Sequence, residues 1–208
     1  MTDDGVMDCV SSDVLEDLAY SVPVAASAPS GVAWLRAAVA RFSEGNVHRR
    51  RRELVVSVID RLGHVAYEGT PTRSLLTALG LPADLEPDVA LVAAAYQPHF
   101  PQTEEADLAA DRLVVACGGP TEDAAAVVCV LVQAHAATLA LIDERRAASS
   151  APPVPSTRRV RPNGEEVLVD LRDAHFGRGP HRCPGEHLAQ HLADQALASV
   201  SDEGFAEG

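Results

Sequence analysis

Ala124–Ile142 runs for nineteen residues without a formal charge. A stretch of that length crosses a bilayer or fills the middle of a helical core. Alanine dominates it, and Gln133, His135 and Thr138 fall inside it. Its hydrophobicity is therefore modest for lipid, and the expectation is a buried central helix on which the rest of the chain packs. Thr121 stands where an N-cap belongs. Glu122 and Asp123 follow at the positive end of the helix, and Arg145 and Arg146 close the negative end.

The remaining periodicity is also mostly helical. Short helices are expected over Asp13–Tyr20, 31–43, 72–80, 86–96 and Asp107–Cys117. A longer one is expected over 47–62, with Leu54, Val55, Val58 and Ile59 on one stripe. Thr157–Val160 and Glu166–Leu171 read as a hairpin across Pro162-Asn163-Gly164, and a final helix covers 184–199. The fold class is mainly α with a small β element. One domain is expected over 13–200, with a disordered acidic N-terminus at 1–12 and a loose tail at 201–208.

The chain has 208 residues and a formal charge of −13, from 30 acids and 17 bases. A nucleic-acid or anionic-membrane partner is not expected. Every one of the 17 bases is arginine, which excludes a Schiff-base or phosphate-loop lysine. Cys9, Cys117, Cys129 and Cys183 show no pairing pattern, as expected for a reducing cytoplasm. No base precedes Arg36, so no signal or transit peptide is expected.

Residues 176–185 read Phe-Gly-Arg-Gly-Pro-His-Arg-Cys-Pro-Gly. Gly177 and Gly179 suit a tight loop with positive φ. His181, Cys183, His187 and His191 have the residue types of a zinc cluster, because His187 and His191 are i,i+4 neighbours on a helix. That reading explains neither the two glycines nor Phe176.

The decapeptide resembles the ligand loop of the cytochrome P-450 family, F-G-x-G-x-H-x-C-x-G, and all six specified positions match. The resemblance implies a pared-down P-450-like helical fold that binds haem b, with Cys183 as the axial thiolate. It also implies that Phe176 shields the sulfur and that His181 donates to a haem propionate. Gly185 would let the following helix approach the porphyrin. His48 and Arg52, in His-Arg-Arg-Arg-Arg, are similar to the family's H-x-x-x-R pair that holds a propionate. Pro152–Arg159 resembles the strand carrying another propionate arginine, Arg159 by register with Arg158 as the alternative. Leu75–Tyr96 is similar to a helix-turn-helix segment of the family.

Two departures qualify what the resemblance implies. The family's oxygen-binding motif, A/G-G-x-D/E-T-T/S, falls on Gln133-Ala134-His135-Ala136-Ala137-Thr138. The acid–alcohol pair that delivers protons to oxygen is therefore Ala136-Ala137, and alanine cannot titrate. His135, Thr138 and Gln133 are the candidate substitutes. The family's E-x-x-R helix also has no place between Arg146 and Pro152. The implied function is a haem-thiolate oxidoreductase of specialised metabolism acting on a small apolar substrate. It would use non-standard oxygen or peroxide activation, or a redox-neutral haem reaction, with a redox partner or none. The alternative is a non-catalytic partner or activator protein of the same fold, self-associating or bound to another enzyme.

Overall fold

The structure is a computed structural model that describes residues 7–203. Its helices are α1 (Gly31–Ala38), α2 (Gly45–Leu62), α3 (Pro71–Ala78), α4 (Glu86–Ala95), α5 (Glu104–Ala116), α6 (Glu122–Arg146) and α7 (Glu186–Glu203). The strands are β1 (Cys9–Val10), β2 (Ser156–Val160) and β3 (Glu166–Asp170), in the order β1-β3-β2. The architecture is the expected one, mainly α with a small sheet.

Local chemistry sets the helix ends. The Thr121 hydroxyl accepts the Ala124 N–H at 3.1 Å, and Thr70 and Thr103 cap α3 and α5 in the same way. The N-terminus of α1 is satisfied from another helix. Asp111 accepts the Gly31 N–H at 2.7 Å, and Asp107 accepts the Val32 N–H at 2.9 Å. Gly31 has φ +68°, and a Cβ there would lie 2.5 Å from an Asp107 carboxylate oxygen, so only glycine fits.

α6 is long and apolar enough to cross a membrane by length and composition, yet it lies at the centre of this fold. Residues 124–132 are buried except for half-buried Val127, whereas within 133–140 only Thr138 is buried. The sealed half meets the apolar stripes of α1 to α5 in one core, which includes Leu35, Val58, Leu75, Val92 and Leu113. The second half packs Leu141 and Ile142 against Ala193 and Ala196 of α7.

Several boundaries differ from expectation. The helix expected over 31–43 stops at Ala38. Val39 turns extended (φ −96°, ψ 162°) to bury its side chain, and a 3-10 turn over Ala40–Phe42 follows. Asp13–Tyr20 is not a helix but a 3-10 turn, Ser12–Leu15. Leu15 is drawn into a cluster with Val169, Leu171 and Ala174, and the Asp17 carboxylate takes the Ala19 N–H. The expected disorder at 1–12 is corrected for its later part. β1 pairs in parallel with β3, whose Leu168 N–H would otherwise lack the Asp8 carbonyl it reaches at 2.9 Å. Residues 1–6 lie outside the described residues. The tail expected from 201 continues α7 to Glu203, and 204–208 lie outside the described residues.

Glu122 joins α2 to the start of α6 through Arg50 and Arg51, at 2.7 and 2.9 Å. Hydrogen bonding from Arg50 lowers its carboxyl to about 2 from an ordinary 4.5. A carboxylate with a depressed folded pKa contributes stability above its unfolded value and loses it as pH falls towards the folded one. The expected contribution of Glu122 is about 1 kcal/mol after solvent screening. It is complete above pH 4.5 and disappears towards pH 2. Urea unfolding of Glu122→Gln should show that loss at pH 6 and convergence with the parent chain near pH 2.5.

Candidate functional site: a cysteine loop beside a basic cluster

Residues 171–185 connect β3 to α7 through tight turns. Gly177 donates to the Ala174 carbonyl at 2.7 Å, and Arg182 to the Gly179 carbonyl at 3.1 Å. Cys183 donates back to the Phe176 carbonyl at 2.8 Å, which closes the loop on itself. Gly177 and Gly179 have φ +72° and +65°, as the loop reading required. Phe176 packs in the α6–α7 cluster with Leu141, Ile142 and Tyr67. Gly185 is not sterically required by the protein alone. A Cβ there would sit 3.7 Å from Ile59 Cδ1 and 3.9 Å from Cys183 Sγ, both ordinary contacts.

Cys183 is exposed on the loop, with protein crowding its remaining sides. That burial dominates and raises its thiol. The Gly185 N–H, Arg52 and Arg182 act in the opposite direction, and Glu186 adds to the rise. A hydrogen bond to sulfur together with nearby guanidinium groups is what favours a thiolate donor.

Next to the loop, side chains from four separate segments converge. The His48 and His181 rings stack with centroids 3.9 Å apart. Arg159 and His48 are buried. Arg159 donates to the Arg158 carbonyl at 2.8 Å, and Arg52 to the Arg182 carbonyl at 2.7 Å. Arg41 contributes a third guanidinium. It lies over the Phe42 ring at 5.6 Å, and its Nε is buried with no hydrogen-bond partner among the described residues. Arg41, Arg52 and Arg159 have no carboxylate within ion-pair distance among the described residues; Glu44, which also accepts the Val22 N–H, meets the cluster at His181, 3.8 Å away. Burial, then His48 and the neighbouring arginines, push His181 down to about 3, so the imidazole is neutral. Burial also lowers His48, and it brings Arg159 to about 10 with Arg41 adding to the effect.

His48, Arg52, Arg159 and His181 are thus brought together, and Arg158 is placed elsewhere, paired to Glu166 at 2.8 Å. Arg41 was missed by sequence reasoning. It stands on a 3-10 turn seven residues before His48, where no helical spacing links the two. The candidates on α6 are engaged or enclosed. His135 shares a 2.8 Å hydrogen bond with Thr72, Gln133 donates to Cys129 Sγ at 2.7 Å, and the Thr138 hydroxyl is buried without a hydrogen-bond partner among the described residues. The four zinc candidates do not converge. The His191 ring packs tilted against His64 at 4.6 Å, and no group of three or more His, Cys, Asp or Glu among the described residues is placed to hold a metal ion.

An exposed thiol facing an N–H donor, beside three guanidinium groups lacking acids, fits a group that combines a metal centre with two carboxylates. A haem with its propionates has that donor requirement.

The fold belongs to the cytochrome P-450-like class. P450BioI, solved in complex with an acyl carrier protein ligated to hexadec-9Z-enoic acid, superposes with a TM-score of 0.70 at 15% identity over 91% of this chain and 82% of that one. Cytochrome P450epoK with epothilone B bound superposes with a TM-score of 0.62 at 15% identity, over 94% and 84%. No family model matches the sequence, and no curated protein does.

Arg159 is the most costly member of the cluster when nothing anionic is bound, because a buried charge without a counter-ion is destabilising. Arg159→Met in the ligand-free protein is expected to raise the unfolding free energy by about 1 kcal/mol. Urea denaturation at pH 7 checks the sign, and a loss of stability would show that Arg159 is already compensated.

Proposed function

We propose that the chain is a haem-thiolate protein with Cys183 as axial ligand. The observation that carries this reading is the basic cluster of Arg41, Arg52 and Arg159 around His48 and His181, without ion-paired carboxylates on the arginines among the described residues, next to an exposed cysteine in a glycine loop. Arg52 and Arg159 would hold the two propionates. Neutral His181 and His48 would donate hydrogen bonds to the same carboxylates without adding charge. The Gly185 N–H would bond to the thiolate and temper its basicity.

Haem with a thiolate ligand supplies oxygen or peroxide activation, or redox-neutral chemistry on a bound substrate. The chain's own residues bear on which of these is served. Ala136 and Ala137 offer no titratable proton, His135 is held by Thr72, and Gln133 is held by Cys129. Burial lowers His135, so it is neutral near pH 7. Stepwise proton delivery to reduced oxygen therefore lacks an acid. Peroxide use or a redo-neutral rearrangement asks less of these residues. The open second half of α6, with exposed Ala136 and half-buried Ala134 and Ala137, offers a small-residue wall for an apolar substrate.

The same engaged side chains favour a second reading, a non-catalytic partner protein that keeps haem as a structural element or lacks it. Peroxide-supported turnover by the purified protein would exclude that reading.

The deciding measurement is absorption of the protein reconstituted with haem. The parent chain is expected to give a ferrous–CO band at the thiolate position. Cys183→Ser should lose that band, and Arg52→Gln should release haem about tenfold faster through loss of a charged hydrogen bond. Failure of the parent chain to take up haem would overturn the proposal.

A further inference from the structure

The cysteine loop is braced from outside by a segment remote in sequence. A Cβ on Gly179 would lie 2.5 Å from the Leu15 carbonyl oxygen and 3.4 Å from Glu16 Cα, so the backbone of that segment fills the space of a side chain. Leu15 itself is buried with Val169, Leu171 and Ala174. Ala174 in turn accepts the Gly177 N–H, so the same cluster anchors the base of the loop. Arg178, between the two glycines, donates to Asp13 at 3.2 Å and to the Asp173 carbonyl at 3.0 Å. The far end of the segment is fixed by the pairing of β1 with β3 and by the 3.1 Å contact of Arg161 with Asp8. Gly177 provides an internal contrast. Its φ is equally positive, but a Cβ there would meet nothing nearer than 3.8 Å.

We propose that Asp8–Glu16 is a strap that positions the Cys183 loop, with Leu15 and Asp13 as positioning residues. The orientation of the thiol then depends on a segment 165 residues away along the chain, counted from Asp13 to Arg178. The consequence for haem rests on the reading of Cys183 as its ligand. The thiol itself reports on the strap with no cofactor present.

The test compares Gly179→Ala with Gly177→Ala. Both variants carry the strain of a positive φ, and only the first collides with the strap. Iodoacetamide labelling of the full-length, haem-free protein is followed peptide by peptide, with buried Cys129 as the reporter of global opening. Labelling of Cys183 is expected to rise about tenfold more in Gly179→Ala than in Gly177→Ala, with Cys129 unchanged. Leu15→Ala should produce a rise at Cys183 of similar size, and Leu15→Val supplies the same comparison if Leu15→Ala does not fold. In haem-loaded protein, Gly179→Ala and Leu15→Ala should convert part of the ferrous–CO complex from thiolate to neutral thiol ligation. Equal labelling in the two glycine variants overturns the proposal, as does a rise at Cys129 in step with Cys183 in both Leu15 variants. Absence of haem uptake would count against haem-thiolate function alone, because the labelling comparison is made without haem.

Discussion

Burial of the first half of α6 is the constraint on which the other elements depend. Residues 124–132 are sealed on almost every side, and α1 to α5 each contribute an apolar stripe to do it. Their directions follow from that demand. α2 is held there by its Val55 and Val58 face, so His48 and Arg52 come to the end of the molecule where the cysteine loop lies. α7 packs against the later part of α6, and the loop preceding α7 is thereby brought beside α2. The candidate site results from how a central helix is covered, and no single motif builds it.

The electrostatics run against this packing. A chain with an excess of acids gathers Arg41, Arg52 and Arg159 in one place and leaves them without ion-paired carboxylates among the described residues. Several other arginines are paired with acids, as in Arg112 with Asp88 and Arg172 with Asp170. Bringing like charges together under burial costs stability unless an anion joins them. The two histidines limit the cost by remaining neutral, and Glu44 offsets a further part. Such an arrangement supports the proposed binding of a ligand that carries negative charge.

Features that follow from local rules could be read directly from the sequence. The Thr121 cap, the charge-free run of α6, the hairpin turn at Asn163-Gly164 and the two positive-φ glycines of the cysteine loop all depend on neighbours within a few residues. The motif positions also led to the cluster of His48, Arg52, Arg159 and His181. What remained hidden depends on distant partners. Val39 leaves the helix because its side chain finds a buried place, and Cys9–Val10 become a strand because β3 has a free edge. Arg41 joins the cluster through a turn that carries no periodicity, and Leu15 reaches Gly179 across nearly the whole chain. The partnering of His135 with Thr72 and of His191 with His64 is likewise invisible to spacing along one helix.

The uneven burial of α6 divides one continuous helix into two kinds of sequence position. In the sealed half almost any change of volume disturbs packing shared by five other helices. Further along, Thr138 is buried and Gln133 and His135 are hydrogen-bonded, but Ala136 is exposed and Ala137 half-buried, so substitutions at that alanine pair leave the scaffold standing. The two positions that lack the acid–alcohol pair are therefore also positions where the fold is permissive. Chemistry at the Ala136-Ala137 pair can be lost or replaced without the protein first having to survive a loss of fold.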